Sequence, residues 1–142
     1  MKGSFTRMLF DEEPVGTFRE GHVFVIAPDV SGADVDTGVG YWRCDITDNE
    51  KLTWSDRVYA LFGLPAGTPV VRDWAVERYT DRSKSVLEYV RTYALKRKLG
   101  FILDAEISPE GEDNRWIRVL AVPILAKRSG RVVGLHGLKR SL

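Results

Sequence analysis

One cysteine, Cys44, is all the chain holds. No disulfide can form within it, and a lone thiol fits a reducing cytoplasm. Histidine is almost as scarce. His22 and His136 lie far apart, and no His/Cys/Asp/Glu group has ligand spacing, which argues against a zinc site. No apolar stretch approaches the roughly 20 residues that cross a bilayer. Lys2 and Arg7 precede Met8, Leu9 and Phe10, but Asp11, Glu12 and Glu13 follow at once, a pattern unlike a signal peptide. An excess of one charge is missing too: 21 Lys and Arg stand against 20 Asp and Glu. A nucleic-acid polyanion selects a basic excess, so nucleic acid is not expected as a partner. Repeats and low-complexity tracts are absent. What remains is 142 residues, 44% hydrophobic and 29% charged, enough for one ordinary globular core. The expectation is a cytoplasmic protein that meets neither nucleic acid nor membrane.

Residues 1–38 differ in texture from the rest. An acidic turn at Asp11–Pro14 is followed by the β-branched run Val23–Ile26, which reads as a strand, and by a Gly/Asp-rich linker over Pro28–Gly38. This segment is expected to be an extension that packs on the main domain, residues 39–142, or on a second copy. From Gly40 the pattern sharpens. Trp42, Cys44 and Ile46 alternate with Tyr41, Arg43 and Asp45, the period of a half-buried strand, and Thr47–Asn49 is a hairpin turn into Lys51–Trp54. Ser55 reads as the N-cap of a helix whose apolar stripe is Val58, Leu61 and Phe62 and whose stop is Gly63. A helical turn over Arg72–Glu77 follows. Asp81 then caps the longest helix, Arg82–Lys98, with Val86, Val90, Tyr93 and Ala94 on one face, Lys84, Glu88, Arg91 and Lys98 toward water, and Gly100 as its stop. Three strands finish the chain: Phe101–Ser108, Arg115–Ala126 and Arg131–Lys139. The order predicts an α+β fold, a five-stranded antiparallel sheet with helices inserted between its second and third strands.

Several strings in that order resemble the PAS fold, in the branch found ahead of bacterial histidine kinases and diguanylate cyclases. Gly40-Tyr-Trp-Arg-Cys-Asp-Ile, running on through Leu52-Thr-Trp-Ser to Phe62-Gly-Leu-Pro, is similar to that family's opening strand pair and first helix. Tyr79-Thr80-Asp81-Arg82 stands where the family has His-Pro-Glu-Asp-Arg, and Gly111 with Arg115-Trp116 resembles its Asp-Gly turn and Arg-Trp pair. The resemblance covers about residues 39–139. There are departures: the His-Pro pair is missing, Asp104-Ala105-Glu106 replaces a Glu-x-Arg pattern, and Gly137–Leu142 replaces the terminal Asp-Ile-Thr. With no effector after Leu142, output is expected to pass through non-covalent contacts.

The resemblance implies a pocket between the inner sheet face and the helices. Trp42, Phe62, Trp74, Val86, Val90 and Leu103 are the candidate lining, weighed against a core that the aromatic rings simply fill. The cofactor is unknown. A haem held by a histidine of the long helix is disfavoured because that helix has none, and a cysteinyl-flavin adduct because no Asn-Cys-Arg motif is present. Cys44 reads as a small core hydrophobe. Ser55 has no nucleophile elbow around it. His136 reads as a hydrogen-bonded sheet residue rather than a ligand. Asp104 and Glu106 read as surface partners for Arg115, Arg118 or Arg43 rather than as an acid/base pair. On Arg115–Ala126, Trp116, Leu120, Val122 and Ile124 share one face while Ile117, Val119 and Ala121 share the other. A strand apolar on both faces needs cover on both. That predicts a homodimer through the sheet, with Val23 and Val25 of the extension joining Trp116, Leu120, Val122 and Ile124.

The leading expectation is therefore a sensory or interaction module of bacterial signal transduction, not an enzyme. It would bind a small molecule, a signalling partner (kinase, cyclase or regulator), or both. Two other classes compete: a small α+β enzyme with a buried His–Asp dyad, and a structural dimerisation domain with a filled core.

Overall fold

A computed structural model describes the backbone of Gly16–Phe18 and Gly21–Ile26, and residues 38–142 in full. The expected acidic turn at Asp11–Pro14, the linker up to residue 37, and the side chains of His22, Val23 and Val25 lie outside the described residues. The described strands are β1 (Gly16–Phe18), β2 (Gly21–Ile26), β3 (Gly40–Asp45), β4 (Lys51–Trp54), β5 (Gly100–Ile107), β6 (Arg115–Leu125) and β7 (Val132–Ser141). Three helices, α1 (Asp56–Leu61), α2 (Arg72–Glu77) and α3 (Asp81–Arg97), lie between β4 and β5.

All strands pair antiparallel in one sheet of order β1-β2-β5-β6-β7-β3-β4. The five expected strands form its core, β5-β6-β7-β3-β4, with the helices inserted between the second and third of them. The extension adds to this sheet rather than only packing on it: β2 lines up beside β5, Val23 opposite Leu103 and Ile26 opposite Gly100. Because β4 lies at one edge and β5 beyond β3, β7 and β6, the connection must cross the sheet, and α1–α3 make that crossing over one face.

Alternation along the strands builds the core against those helices. Trp42 and Cys44 of β3, Phe101, Leu103, Ala105 and Ile107 of β5, and Ile117, Val119 and Ala121 of β6 join Val58, Phe62, Val90 and Ala94 in one buried cluster. The β3–β4 turn places Asn49 (φ 53°) and Glu50 (φ 56°) in the left-handed region that a tight hairpin demands.

Helix ends differ in detail from expectation. Ser55 does occupy the N-cap position of α1, yet its side chain makes no capping bond. Its Oγ accepts the Tyr41 N–H at 2.9 Å and its own N–H reaches the Tyr41 carbonyl at 2.9 Å, so Ser55 ties the helix to the edge of β3. The N-cap of α3 is Thr80, and Asp81 is the first helical residue, where its charge favours the positive end of the dipole. The helix stops at Lys98, which takes the left-handed conformation (φ 56°), with Lys96 and Arg97 in the last turn; Gly100 instead opens β5. Tyr93, expected inward, is 37% exposed and lies under the Arg97 guanidinium at 4.1 Å.

On the face opposite the helices, Ile102, Leu120, Val122 and Leu138 are all buried, and so is Asp104. Asp104 meets its cross-strand partner Arg118 in a two-pronged pair, Nε–Oδ1 2.6 Å and Nη2–Oδ2 2.8 Å. Removing the guanidinium strands a buried carboxylate. Arg118→Leu should cost about 3 kcal/mol in urea unfolding, and adding Asp104→Leu should recover most of that loss. A double variant no more stable than the single one would show that the pair's charge is not what matters.

Candidate functional site

Between the sheet and α2–α3 lies a cavity of about 70 Å³. At 10–15 Å³ per water-sized site, it has room for about five waters or small atoms. Its sheet-side walls are Trp42, Cys44, Trp54, Phe101, Val119 and Leu135. Ala75, Val76 and Leu87 close it from the helices, with Tyr79 between α2 and α3. Arg72 and Arg91 stand at its edge, both within ion-pair reach of Glu50 (3.8 and 3.0 Å), and Arg72 also pairs with Glu88.

Lys139 of β7 completes the wall. It shares a sheet face with Leu135 and Gly137, so strand alternation carries it inward. Only 7% of the residue is exposed. Its Nζ donates to the Tyr79 hydroxyl at 3.2 Å. Four rings surround the amine, with centroids at 5.1 Å (Phe62), 5.2 Å (Trp42), 5.8 Å (Trp54) and 5.8 Å (Tyr79). The rings are themselves packed: Trp54 stacks on Phe62 at 4.8 Å, Phe62 meets Tyr79 edge-on, and the Trp42 indole N–H is anchored on the Leu120 carbonyl at 3.2 Å. Among the described residues, no carboxylate lies within ion-pair distance of Lys139.

Two opposing effects act on that amine. Ring faces attract a cation by about 1–2 kcal/mol, while burying an ammonium without a counter-charge costs several. Burial wins and pushes the Lys139 amine from 10.5 down to about 7. Burial also raises the Tyr79 phenol and the Cys44 thiol above their usual ranges. The cavity thus presents an amine poised between charged and neutral near physiological pH, a neutral phenol and a neutral thiol.

The residues singled out from sequence distribute unevenly. Trp42 lines the cavity. Phe62, Val90 and Leu103 are buried behind its walls, while Trp74 and Val86 pack against the core from the side, Trp74 beneath the Arg78 guanidinium at 4.7 Å. Arg91, expected to face water, turns to Glu50 at the cavity edge. On the other sheet face, Leu120 and Val122 are 0% and 1% exposed, Ile124 is half-buried, and Trp116 is 37% exposed. The backbone register sets Val23 opposite Leu103 and Val25 opposite Phe101; their side chains lie outside the described residues. His136 is hydrogen-bonded to the Tyr41 hydroxyl through Nδ1 at 3.1 Å, and burial and nearby Arg43 lower its basicity. Among the described residues no His/Cys/Asp/Glu group could hold a metal, and no helix is long and apolar enough to cross a membrane.

Lys139 itself was legible only in part. It closes the alternation Leu135, Gly137, Lys139, whose inward parity is visible in the sequence, but a terminal lysine is ordinarily a solvated one.

The sequence matches no protein-family model and no curated relative. Likeness appears at the level of solved structures. The chain is similar to the N-terminal domain of a diguanylate cyclase with PAS/PAC sensor from Marinobacter aquaeolei: TM-score 0.63, 16% identity, 72% of this chain and 94% of that one. A sensory box histidine kinase/response regulator from Burkholderia thailandensis gives 0.62 at 11% identity, covering 74% and 77%. The light-state dimer of the fungal blue-light photoreceptor Vivid gives 0.61 at 14% identity, covering 79% and 83%. At such identities the likeness is one of fold.

Proposed function

For this chain, which has the PAS fold, we propose a sensory role in signal transduction: the cavity binds a small organic acid, with the Lys139 ammonium as its anchor. One observation carries the reading. An amine lies in the cavity wall inside four aromatic rings with no counter-charge among the described residues, so a carboxylate entering there would supply what burial denies it. The volume suits a short-chain acid. Among the described residues that line the cavity there is no carboxylate or imidazole, and the reading is one of binding.

Output would pass through association, in a cytoplasmic setting. Residues 1–38 form an extension to a domain spanning 39–142, and the sheet face bearing Trp116 and Ile124 is the surface offered to a second copy or to a kinase, cyclase or regulator. Vivid, whose light state is described as a dimer, shows that a protein of similar fold associates. Leu120 and Val122, already buried, would support that surface from beneath.

Thermal shift with propionate tests the cavity. Saturation near 100-fold above Kd should add about 2.7 kcal/mol of stability. Affinity should be flat between about pH 6 and 7 and should weaken about tenfold per pH unit above 8, because a neutral amine must first take up a proton. Lys139→Met should abolish the shift. A propionate response that survives in Lys139→Met, or no response to any short-chain acid, would remove Lys139 as the anchor.

A further inference from the structure

We propose that Lys139 is also a site of reversible covalent capture, forming an imine with a small carbonyl compound, most favourably a short α-oxo acid. The inference rests on the cavity being the ligand site and adds a bond to it.

Its basis is the set of neighbours around Nζ. A lysine held by a carboxylate keeps its proton and has no lone pair to give. Lys139 has no such partner among the described residues; its one hydrogen-bonding neighbour is the Tyr79 hydroxyl at 3.2 Å. The other groups facing the cavity are the Cys44 thiol and the Arg72 and Arg91 guanidiniums, the latter two engaged with Glu50 and Glu88. Burial therefore leaves a substantial fraction of the amine neutral at physiological pH, as in lysines that act as nucleophiles. The Trp42 and Phe62 rings that face the amine would also face the cation formed when the imine is protonated.

The step balances without any oxidant or further reactant. The Nζ lone pair attacks the carbonyl carbon, a C–N bond forms, and the carbonyl oxygen takes up a proton, for which the Tyr79 hydroxyl is the donor within reach. Nζ gives up a proton to restore that hydroxyl. The Tyr79 hydroxyl then protonates the carbinolamine hydroxyl, which leaves as water, and the proton remaining on Nζ returns to the Tyr79 oxygen, leaving C=N. Amine plus carbonyl gives imine plus water. The requirement for both a carboxylate-sized space and a reactive carbonyl selects α-oxo acids over simple carboxylic acids.

The test uses the full chain with pyruvate and cyanoborohydride at neutral pH, followed by peptide mapping. Propionate, of similar size but without the carbonyl, is run beside it for thermal shift. The expected result is one reduced pyruvyl group on Lys139, accumulating at least about tenfold faster than on the exposed Lys98 and Lys127. Lys139→Arg should fold and lose the label while keeping a cation in place. Lys139 left unlabelled, or labelled no faster than Lys98, overturns the imine. If propionate still stabilises the protein in that case, the cavity stands as a simple anion site. If propionate also fails, both readings fall together. Mapping on the unmutated chain makes the outcome independent of how any variant folds.

Discussion

Gly137→Ala should be severely destabilising, with an expected loss of about 4–5 kcal/mol out of a total that for domains of this size is about 5–15. A Cβ at 137 would stand 1.8 Å from the Leu120 carbonyl oxygen, 2.7 Å from its carbon and 3.1 Å from the Ala121 Cα. Every one of those atoms is backbone, so no side chain can rotate away. Gly137 sits mid-ladder between β6 and β7, which pair from Ile117↔Ser141 to Leu125↔Val132, and it faces Trp42 on β3. Opening the ladder by more than an ångström would cost the flanking hydrogen bonds and would shift the carbonyl that holds the Trp42 indole. Gly67→Ala is the control: its φ of +85° strains an alanine, but nothing lies within 4 Å, so it should lose only about 1 kcal/mol. Urea unfolding followed by tryptophan fluorescence separates the two. A Gly137→Ala protein within 1 kcal/mol of the parent would mean the β6–β7 register is not the one described.

The glycine also shows where local pattern stops informing. Strand alternation in Gly40–Asp45 and Phe101–Ile107, the hairpin residues at 47–50 and the polar turn between β5 and β6 are short-range signals, and they located the five core strands and all three helices. The close approach at Gly137 depends on a strand 17 residues away in sequence, β6, counted from Leu120. The pairing of β2 with β5 spans a still longer separation, so a β-branched run at 23–26 could be read as a strand but not assigned a neighbour. The lining of the cavity was hard to read for a related reason. On α3 Val90 is buried in the core and Val86 packs against it, as their stripe predicts, while Leu87 and Arg91, one residue further round, reach the cavity wall. A rotation of about 100° per residue separates those stripes, and only tertiary contacts choose between them. On α2, six residues are too few for a phase at all, and Ala75 and Val76 face the cavity where the larger Trp74 was expected.

Lys139→Met should make the protein more stable and remove a pH dependence that the parent displays. Met matches the lysine stem in length and buries no amine, so it keeps the ring contacts without the desolvation. In the parent, the folded amine titrates at about 7 and the unfolded one at its ordinary 10.5. Between those values the unfolded chain carries a proton that the folded chain lacks, so stability rises with pH. Below 7 both states are protonated and the slope vanishes, with the destabilisation at its full extent. At 1.36 kcal/mol per pH unit the whole interval is worth on the order of 5 kcal/mol. The upper end is masked, because Cys44 and Tyr79, whose folded values are raised, both destabilise the fold as the unfolded groups ionise above about pH 9. The clean window is pH 7 to 9, where the parent should gain about 2 kcal/mol and Lys139→Met should stay flat. A parent profile as flat as the variant's would mean the amine remains charged when folded, satisfied by something other than the described neighbours. If the slope is present, the protein holds a costly amine that a methionine would relieve.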